Sequence, residues 1–276
     1  MSSAAATRDD VRAPVLRTVI RATGLAGLGL IAVIVALSDV IARAPAGASG
    51  LAPALQPPMI GFPFGTDGTG RDVWSETVHA LALSVPNAVL AAAITIVLGA
   101  VAGFVAARLP RRSGGVLRAV MGVLGAVPVL LLAIAAIGVA GPQFAVIAAG
   151  FAAAPAAFNR SFDRAMALAH SHYAEFARTT GIPGTTLLRR DLVYEIRGNF
   201  VSVAARALAS VAIALSTISF LGFGAVAPHR DLGAMIAGAR GQYLDAWWIA
   251  AFPALALAFF ILFARLAAAL EEGEPP

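Results

Sequence analysis

Val127-Pro128-Val129-Leu130-Leu131-Leu132-Ala133-Ile134-Ala135-Ala136-Ile137-Gly138-Val139-Ala140-Gly141-Pro142 is the stretch on which the fold turns. It sits inside a longer run, Ala119 to Asn159, that contains no Asp, Glu, Lys or Arg. A helix rises ~1.5 Å per residue and a bilayer core takes ~20 apolar residues, so the run is too long for one crossing. Gly141-Pro142 interrupts it, because proline lacks a backbone N–H and clashes with the preceding turn. The expectation is a hairpin of two crossings that turns at Gly141-Pro142, with Pro128 and Pro155 kinking its arms.

Working outward, four more apolar runs appear: Ala22 to Ser38, Thr77 to Ala107, Ala207 to Ala227 and Ala246 to Ala264. The first is longer than the apolar part of a signal peptide and ends in Asp39 and Arg43, so a retained helix is expected. The fold class is therefore an all-α polytopic membrane protein with six transmembrane helices. Composition agrees. Charged residues are 13% of the chain and hydrophobic ones 59%, against about 25% charged in soluble domains. That is too few charges for a fully water-facing surface, so lipid must cover much of it.

All twenty basic residues are arginine. Without lysine the chain has no P-loop for a nucleotide and no Schiff-base chemistry. Without cysteine it has no disulfide and no thiolate metal site. The net charge of +5 reads as arginines flanking membrane spans rather than as a nucleic-acid surface. Sixteen of them lie in the N-terminus, the loop after the second span, the polar passage Arg160 to Arg206, and at Arg265. Only Arg43, Arg71, Arg230 and Arg240 lie on the other side. The positive-inside rule places the first group, and both termini, in the cytoplasm.

No catalytic constellation is visible. Ser84, Ser216 and Ser219 lie in spans with no intramembrane acid or base beside them, which suits helix packing. His170 and His172 are two apart and splay on a helix. His79 and His229 share the outer side; they are the nearest approach to a metal site, and none is expected. The spans carry almost no ionisable groups, which argues against a proton relay, so energy must come from a partner.

Two loops are specific. The outer one, Ala44 to Arg71, holds Pro45, Pro53, Pro57, Pro58 and Pro63 and ends Phe64-Gly65-Thr66-Asp67-Gly68-Thr69-Gly70-Arg71-Asp72. Its glycines permit tight turns, Asp67 and Asp72 can cap turns or pair with Arg71, and Asp72 suits a helix N-cap. The second is the cytoplasmic island. Arg160 to Ala169 extends the fourth span, and Glu175 to Thr180 forms a short helix. Gly181-Ile182-Pro183-Gly184 turns, and Thr185 to Val193 forms a second short helix. This helix–turn–helix offers Phe176, Leu187 and Leu188 to a partner.

These motifs resemble a known family. Glu175-Phe176-Ala177 followed by Gly181 is similar to the Glu-Ala-Ala-x-x-x-Gly loop of ABC-importer permeases. Gly65 to Asp72 resembles the Gly-Thr-Asp-x-x-Gly-Arg-Asp signature of the C-type permeases of dipeptide, oligopeptide and nickel importers. Ser219-Phe220-Leu221-Gly222-Phe223-Gly224, then Pro228 and Leu232 to Ile236, resembles their Phe-Leu-Gly-x-Gly segment and the loop after it. Phe176, Asp191 and Tyr194 depart from the family pattern.

The resemblance implies the type I importer permease fold, with a cytoplasmic coupling helix in the loop at about 173–194. Within it, residues 1–21 form a cytoplasmic N-terminus, 22–76 the first transmembrane helix and outer loop, 77–270 the permease domain and 271–276 a cytoplasmic tail. It implies a membrane-embedded subunit, not an enzyme, that moves peptides or a related solute, nickel or a metal complex included, inward across a bacterial inner membrane. Partners would be a homologous B-type permease, two P-loop ATP-binding subunits and an extracytoplasmic binding protein. ATP and Mg would bind those ATPases, and no cofactor is expected on this chain. Glu175, Phe176, Ala177, Gly181, Leu187 and Leu188 would couple to the ATPase, and Gly65, Thr66, Asp67, Gly70, Arg71 and Asp72 form the outer motif. The alternative is an ATP-independent channel or a membrane scaffold, but no ring of charges or filter-like loop supports a channel.

Overall fold

The structure, a computed structural model, describes residues 3–169, 179–180, 184–224 and 229–269. Among these it is helical, with no β-strand. The principal helices are α1 (Ser3–Ala36), α2 (Val73–Thr95), α3 (Ala102–Ala106), α4 (Arg111–Ala126), α5 (Val129–Ala140), α6 (Ala145–Ala169), α7 (Gly184–Ile218), α8 (Leu232–Gly238) and α9 (Trp248–Ala267). Four runs are long and apolar enough to cross a membrane: Leu16–Ala36, Val73–Ala106, Phe200–Phe223 and Trp248–Ala267. The bent pair α4 and α5 makes a fifth if it counts as one crossing. Large apolar side chains point outward on these helices, among them Val89, Leu90, Val97, Val123, Leu131 and Val139. Outward apolar faces suit lipid rather than water.

Two expectations are corrected. The run from Ala119 to Asn159 does not break once. Val127 and Pro128 both adopt extended backbone, with ψ of 131° and 132°, and α4 and α5 meet at 95°. Proline drives the residue before it out of the helical region, and a second extended residue turns the resulting kink into a break. The expected turn at Gly141-Pro142 is also present, with Gly141 at φ 99°, a conformation that favours glycine. Nor is Thr185 to Val193 a separate short helix. It is the beginning of α7, which runs unbroken for 35 residues, because nothing between Gly184 and Ile218 stops a helix. The extension Arg160 to Ala169 is part of α6, as expected.

The chain divides into two compact units, Met1–Asn87 with Leu215–Pro276, and Ala88–Ala214. In the second unit the core is small residues and phenylalanine: Ala149, Ala153, Ala154, Phe104, Phe158 and Phe162 are buried. The second span bulges into a π-helix at Ile96–Val101 and lies against α6. A Cβ on Gly99 would sit 2.5 Å from the Ala154 carbonyl, and one on Gly103 would collide with that of Phe158. Thr95 Oγ1 donates to the Gly150 carbonyl at 2.9 Å. Close backbone approach through small residues is how helices associate where lipid removes the hydrophobic drive between them.

In the first unit α1 lies on α9. A Cβ on Gly24 would collide with the Ala267 backbone and one on Gly27 with the Phe263 ring. The first span is thus docked on the last through its glycines. The loop between α1 and α2, and the loop after α7, belong to the same unit and carry the motifs described next.

Candidate functional site

The loop that ends at Asp72 is held by its own polar atoms. Thr66 is fully buried; its hydroxyl donates to the Pro53 carbonyl at 2.8 Å and accepts the Gln56 N–H at 2.9 Å. One Asp67 carboxylate oxygen accepts from the Thr69 N–H (2.8 Å), the Thr69 hydroxyl (2.7 Å) and the Arg71 N–H (3.0 Å). Gly65 and Gly70 both have φ of 72°. At Gly65 a side chain would meet the Gln56 carbonyl and the indole nitrogen of Trp248, which donates to the Thr66 carbonyl at 3.1 Å. Trp248 is buried, while Trp247 is exposed.

Asp72 caps α2 as expected. Its oxygens accept from the Trp74 and Ser75 N–H groups, both at 3.3 Å, and from the Ser75 hydroxyl at 2.6 Å. The Ser75 oxygen in turn accepts the Arg43 and Ala44 N–H groups. A helix start is thereby tied to the end of the preceding segment, satisfying donors that the first turn leaves over.

The cation that Asp67 meets is not Arg71. Arg71 is joined to Asp67 through its main chain, and its buried Nε has no hydrogen-bond partner among the described residues. Arg230, in the loop after α7, lies 3.4 Å from Asp67 Oδ2 and 3.1 Å from Glu76 Oε2. Glu76 uses its other oxygen to accept the Gly47 N–H at 2.7 Å. Burial pushes the Asp67 carboxyl up, but the Arg71 N–H, the Thr69 hydroxyl and N–H, and the Arg230 charge outweigh it and hold it below the ordinary carboxylate range.

The next residue continues the arrangement. Asp231 caps α8 through the Ala234 N–H (2.9 Å) and accepts the Ser219 hydroxyl at 2.5 Å. Ser219 opens the Phe-Leu-Gly-x-Gly-like motif, whose residues 219–223 form a π-helix with Gly222 inside it at φ 98°. Leu232 N–H donates to the Ser84 hydroxyl at 3.1 Å, and a Cβ on Gly233 would collide with the Ser216 carbonyl. Ser84, Ser216 and Ser219 therefore serve packing and capping, with no catalytic geometry. Arg240 places its guanidinium 4.0 Å above the Phe220 ring and donates to the Phe220 carbonyl.

His79 and His229 do come together, around a cavity of about 400 Å³ that Glu76 and Arg230 also line. Among the described residues no group of three or more potential ligands could hold a metal. His79 instead has Nε2 3.0 Å from the Ala44 carbonyl. Glu175, Phe176, Ala177 and Gly181 lie outside the described residues. The backbone at Leu187 and Leu188 belongs to the first turns of α7. Sequence reasoning passed over Glu76, Ser75 and Arg230. The available signal was that Glu76 follows Asp72 by four residues at the head of an apolar span and Arg230 stands beside Asp231 in an outer loop.

Comparison with known proteins decides what the arrangement belongs to. Residues 95–272 match the family described as binding-protein-dependent transport system inner membrane component. This chain belongs to that family. It is a permease subunit of an ABC importer, embedded in the inner membrane as a multi-pass protein, and is not itself an enzyme. A protein of Brucella suis that carries the name of a peptide transport system permease is 30% identical over 85% of this chain and 79% of its own length. The di/tripeptide transport system permease protein of Pseudomonas aeruginosa is 28% identical over 73% of this chain and 67% of its own. The glutathione transport system permease protein of Pectobacterium atrosepticum is 28% identical over 72% and 66%. A permease of this family works with ATPase and substrate-binding partners.

Proposed function

We propose that this permease carries short peptides inward, with both termini and the Arg160 to Arg206 island in the cytoplasm and the Asp67 and Arg230 loops outside. The observation that carries the reading is the extent of the family match: 95–272 contains the whole polar island, and relatives aligned over most of the chain are named for peptide, di/tripeptide and glutathione transport. The arginine asymmetry supports the orientation. Six crossings follow if α6 spans together with α4–α5, and the segments 1–21, 22–76, 77–270 and 271–276 then take the roles given by the resemblance.

On this reading a B-type permease completes the pathway, two P-loop subunits bind ATP and Mg, and an extracytoplasmic binding protein delivers cargo. Glu175, Phe176, Ala177 and Gly181, with Leu187 and Leu188, meet the ATPase. Closure of the ATPase dimer biases the permease between outward and inward states, the two-state element a coupling role requires. Gly65 to Asp72 is scaffold: the side-chain oxygens of Thr66, Asp67 and Asp72 are all engaged within the chain. The test is ATP-driven uptake of a labelled dipeptide by the complete system in proteoliposomes. Glu175→Lys and Gly181→Trp should abolish uptake while membrane insertion and assembly persist; normal uptake by both variants would overturn the coupling assignment.

A further inference from the structure

The loop between α1 and α2 carries an apolar tip that its Gly-Thr-Asp motif does not use. Two limbs of the loop pair as a finger. Leu55 N–H donates to the Asp67 carbonyl at 3.1 Å, and Thr66 N–H to the Gln56 carbonyl at 2.9 Å. Further out, Met59 and Phe62 each donate an N–H to the other's carbonyl at 3.0 Å. Ile60 and Gly61 close the turn, with Gly61 at φ 100°. Ile60 is fully exposed and Met59 half exposed, so the turn holds two large apolar side chains away from the protein interior.

Two contacts set the height of this tip. Arg43 donates from its guanidinium to the Gly61 carbonyl at 2.8 Å, and Arg43 directly follows the short helix Ser38–Ile41 and Ala42 at the end of the first span. On the returning limb, Phe64 stacks on Phe252 with ring centroids 3.8 Å apart. Phe252 lies four residues after Trp248, the first residue of the last span, so it is ~6 Å inside that end. The first span, Leu16–Ala36, has 21 residues and is ~31 Å long, against a hydrocarbon core of ~30 Å. The ends of both spans therefore stand at the edge of the hydrocarbon, and the finger is fastened to both. Trp247, exposed at the head of the last span, marks the same layer, where aromatic rings concentrate. The first span is also the least buried of the four long ones, 17% against 39% for Val73–Ala106. Exposed Leu37 and Val40 continue its apolar face past Ala36.

We propose that Met59 and Ile60 insert into the interfacial layer of the bilayer, so that the finger anchors the Gly-Thr-Asp loop to phospholipid beside the first and last spans. Lipid is the occupant because the tip continues the lipid-facing flank of the first span at the height where that span leaves the hydrocarbon. Arg43 suits this layer, since an arginine there lays its stem along apolar surface and keeps its charge among the headgroups. The anchor is independent of the cargo, and peptide uptake is not its readout.

The experiment uses the assembled importer, without the binding protein, in nanodiscs of phosphatidylcholine and phosphatidylglycerol. Part of the phosphatidylcholine carries a diazirine near the top of one acyl chain. After photolysis, trypsin cuts at Arg43 and Arg71 and releases 44–71, the peptide that holds the finger. Lipid adducts should concentrate at Met59 and Ile60, with few at Ala54, which is exposed on the same loop. A water-soluble diazirine should give the reverse pattern. Ile60→Asp should cut the lipid adducts at Met59 at least about fivefold, because it removes the transfer of an isoleucine side chain out of water. Ala54→Asp adds the same charge to the loop and should leave them unchanged. Aqueous labelling of Met59 and Ile60 equal to that of Ala54, wild-type lipid adducts in Ile60→Asp, or an equal loss in Ala54→Asp would overturn the anchor. Protection of the tip from both reagents would assign it to a neighbouring protein subunit and overturn the lipid assignment.

Discussion

Removing Arg230 tests the charge arrangement around the first loop most directly. Arg230→Ala leaves Asp67 and Glu76, with side chains 12% and 7% exposed, facing each other without their shared cation. Two unit charges ~4 Å apart interact by ~4 kcal/mol at an effective dielectric constant of ~20. Breaking a fully buried pair costs about 3–5 kcal/mol. The cost here is smaller, because Asp67 retains its Thr69 and Arg71 donors and Glu76 retains Gly47. A loss of about 2–3 kcal/mol follows. On the scale of soluble domains of similar size that lowers an unfolding midpoint by about 4–12 °C. The assay is thermal unfolding of the purified complex at one fixed scan rate, since membrane-protein unfolding is seldom reversible. The decisive form is a double-mutant cycle with Glu76→Gln, which removes the uncompensated charge. Arg230→Ala/Glu76→Gln should be less destabilised than the sum of the two single variants by at least about 1 kcal/mol. Additivity within about 0.5 kcal/mol would show that the two groups are not coupled and would refute the reasoning.

The depressed Asp67 carboxyl gives a pH signature. A group whose folded pKa lies below its unfolded value of about 3.9 stabilises fully above that value, and the contribution disappears as pH falls through the folded value. The midpoint difference between wild type and Asp67→Asn should therefore be full at neutral pH and shrink below about pH 4. Gly65→Ala should destabilise by about 1–3 kcal/mol, because φ is 72° and the new Cβ meets Gln56 and Trp248; altered tryptophan fluorescence would report the disturbed Trp248. Arg118→Ala should change the midpoint by less than about 1 kcal/mol, since its 2.6 Å pair with Asp163 is more than half exposed on both sides.

The helical membrane class was legible because charge-free runs of span length have few other uses. Asp72 as an N-cap was legible too, since a short acid before an apolar helix is a local signal. The 95° break at Pro128 was not. A proline inside a membrane helix is compatible with a kink or a break, and the choice depends on whether Val127 also leaves the helical region, which packing decides. The partner of Asp67 was hidden for a different reason. Arg71 is four residues away and Arg230 is 163, and local reasoning favours the neighbour. The main chain of Arg71 is instead consumed by the turn that Asp67 closes.

The pattern of used and unused groups separates structure from function in these loops. The side-chain oxygens of Thr66, Asp67, Ser75 and Asp72 are all engaged within the chain, those of Asp67 by the Thr69 hydroxyl and Arg230 as well as by main-chain N–H groups. Cargo contact at any of them would have to break a bond already made, at a cost of about 1–3 kcal/mol for each buried group left unsatisfied. Selection of cargo through these side chains would therefore weaken the fold that presents them. Substituting them should impair folding and assembly before it alters preference. The Gly-Thr-Asp loop accordingly reads as the frame of this part of the chain.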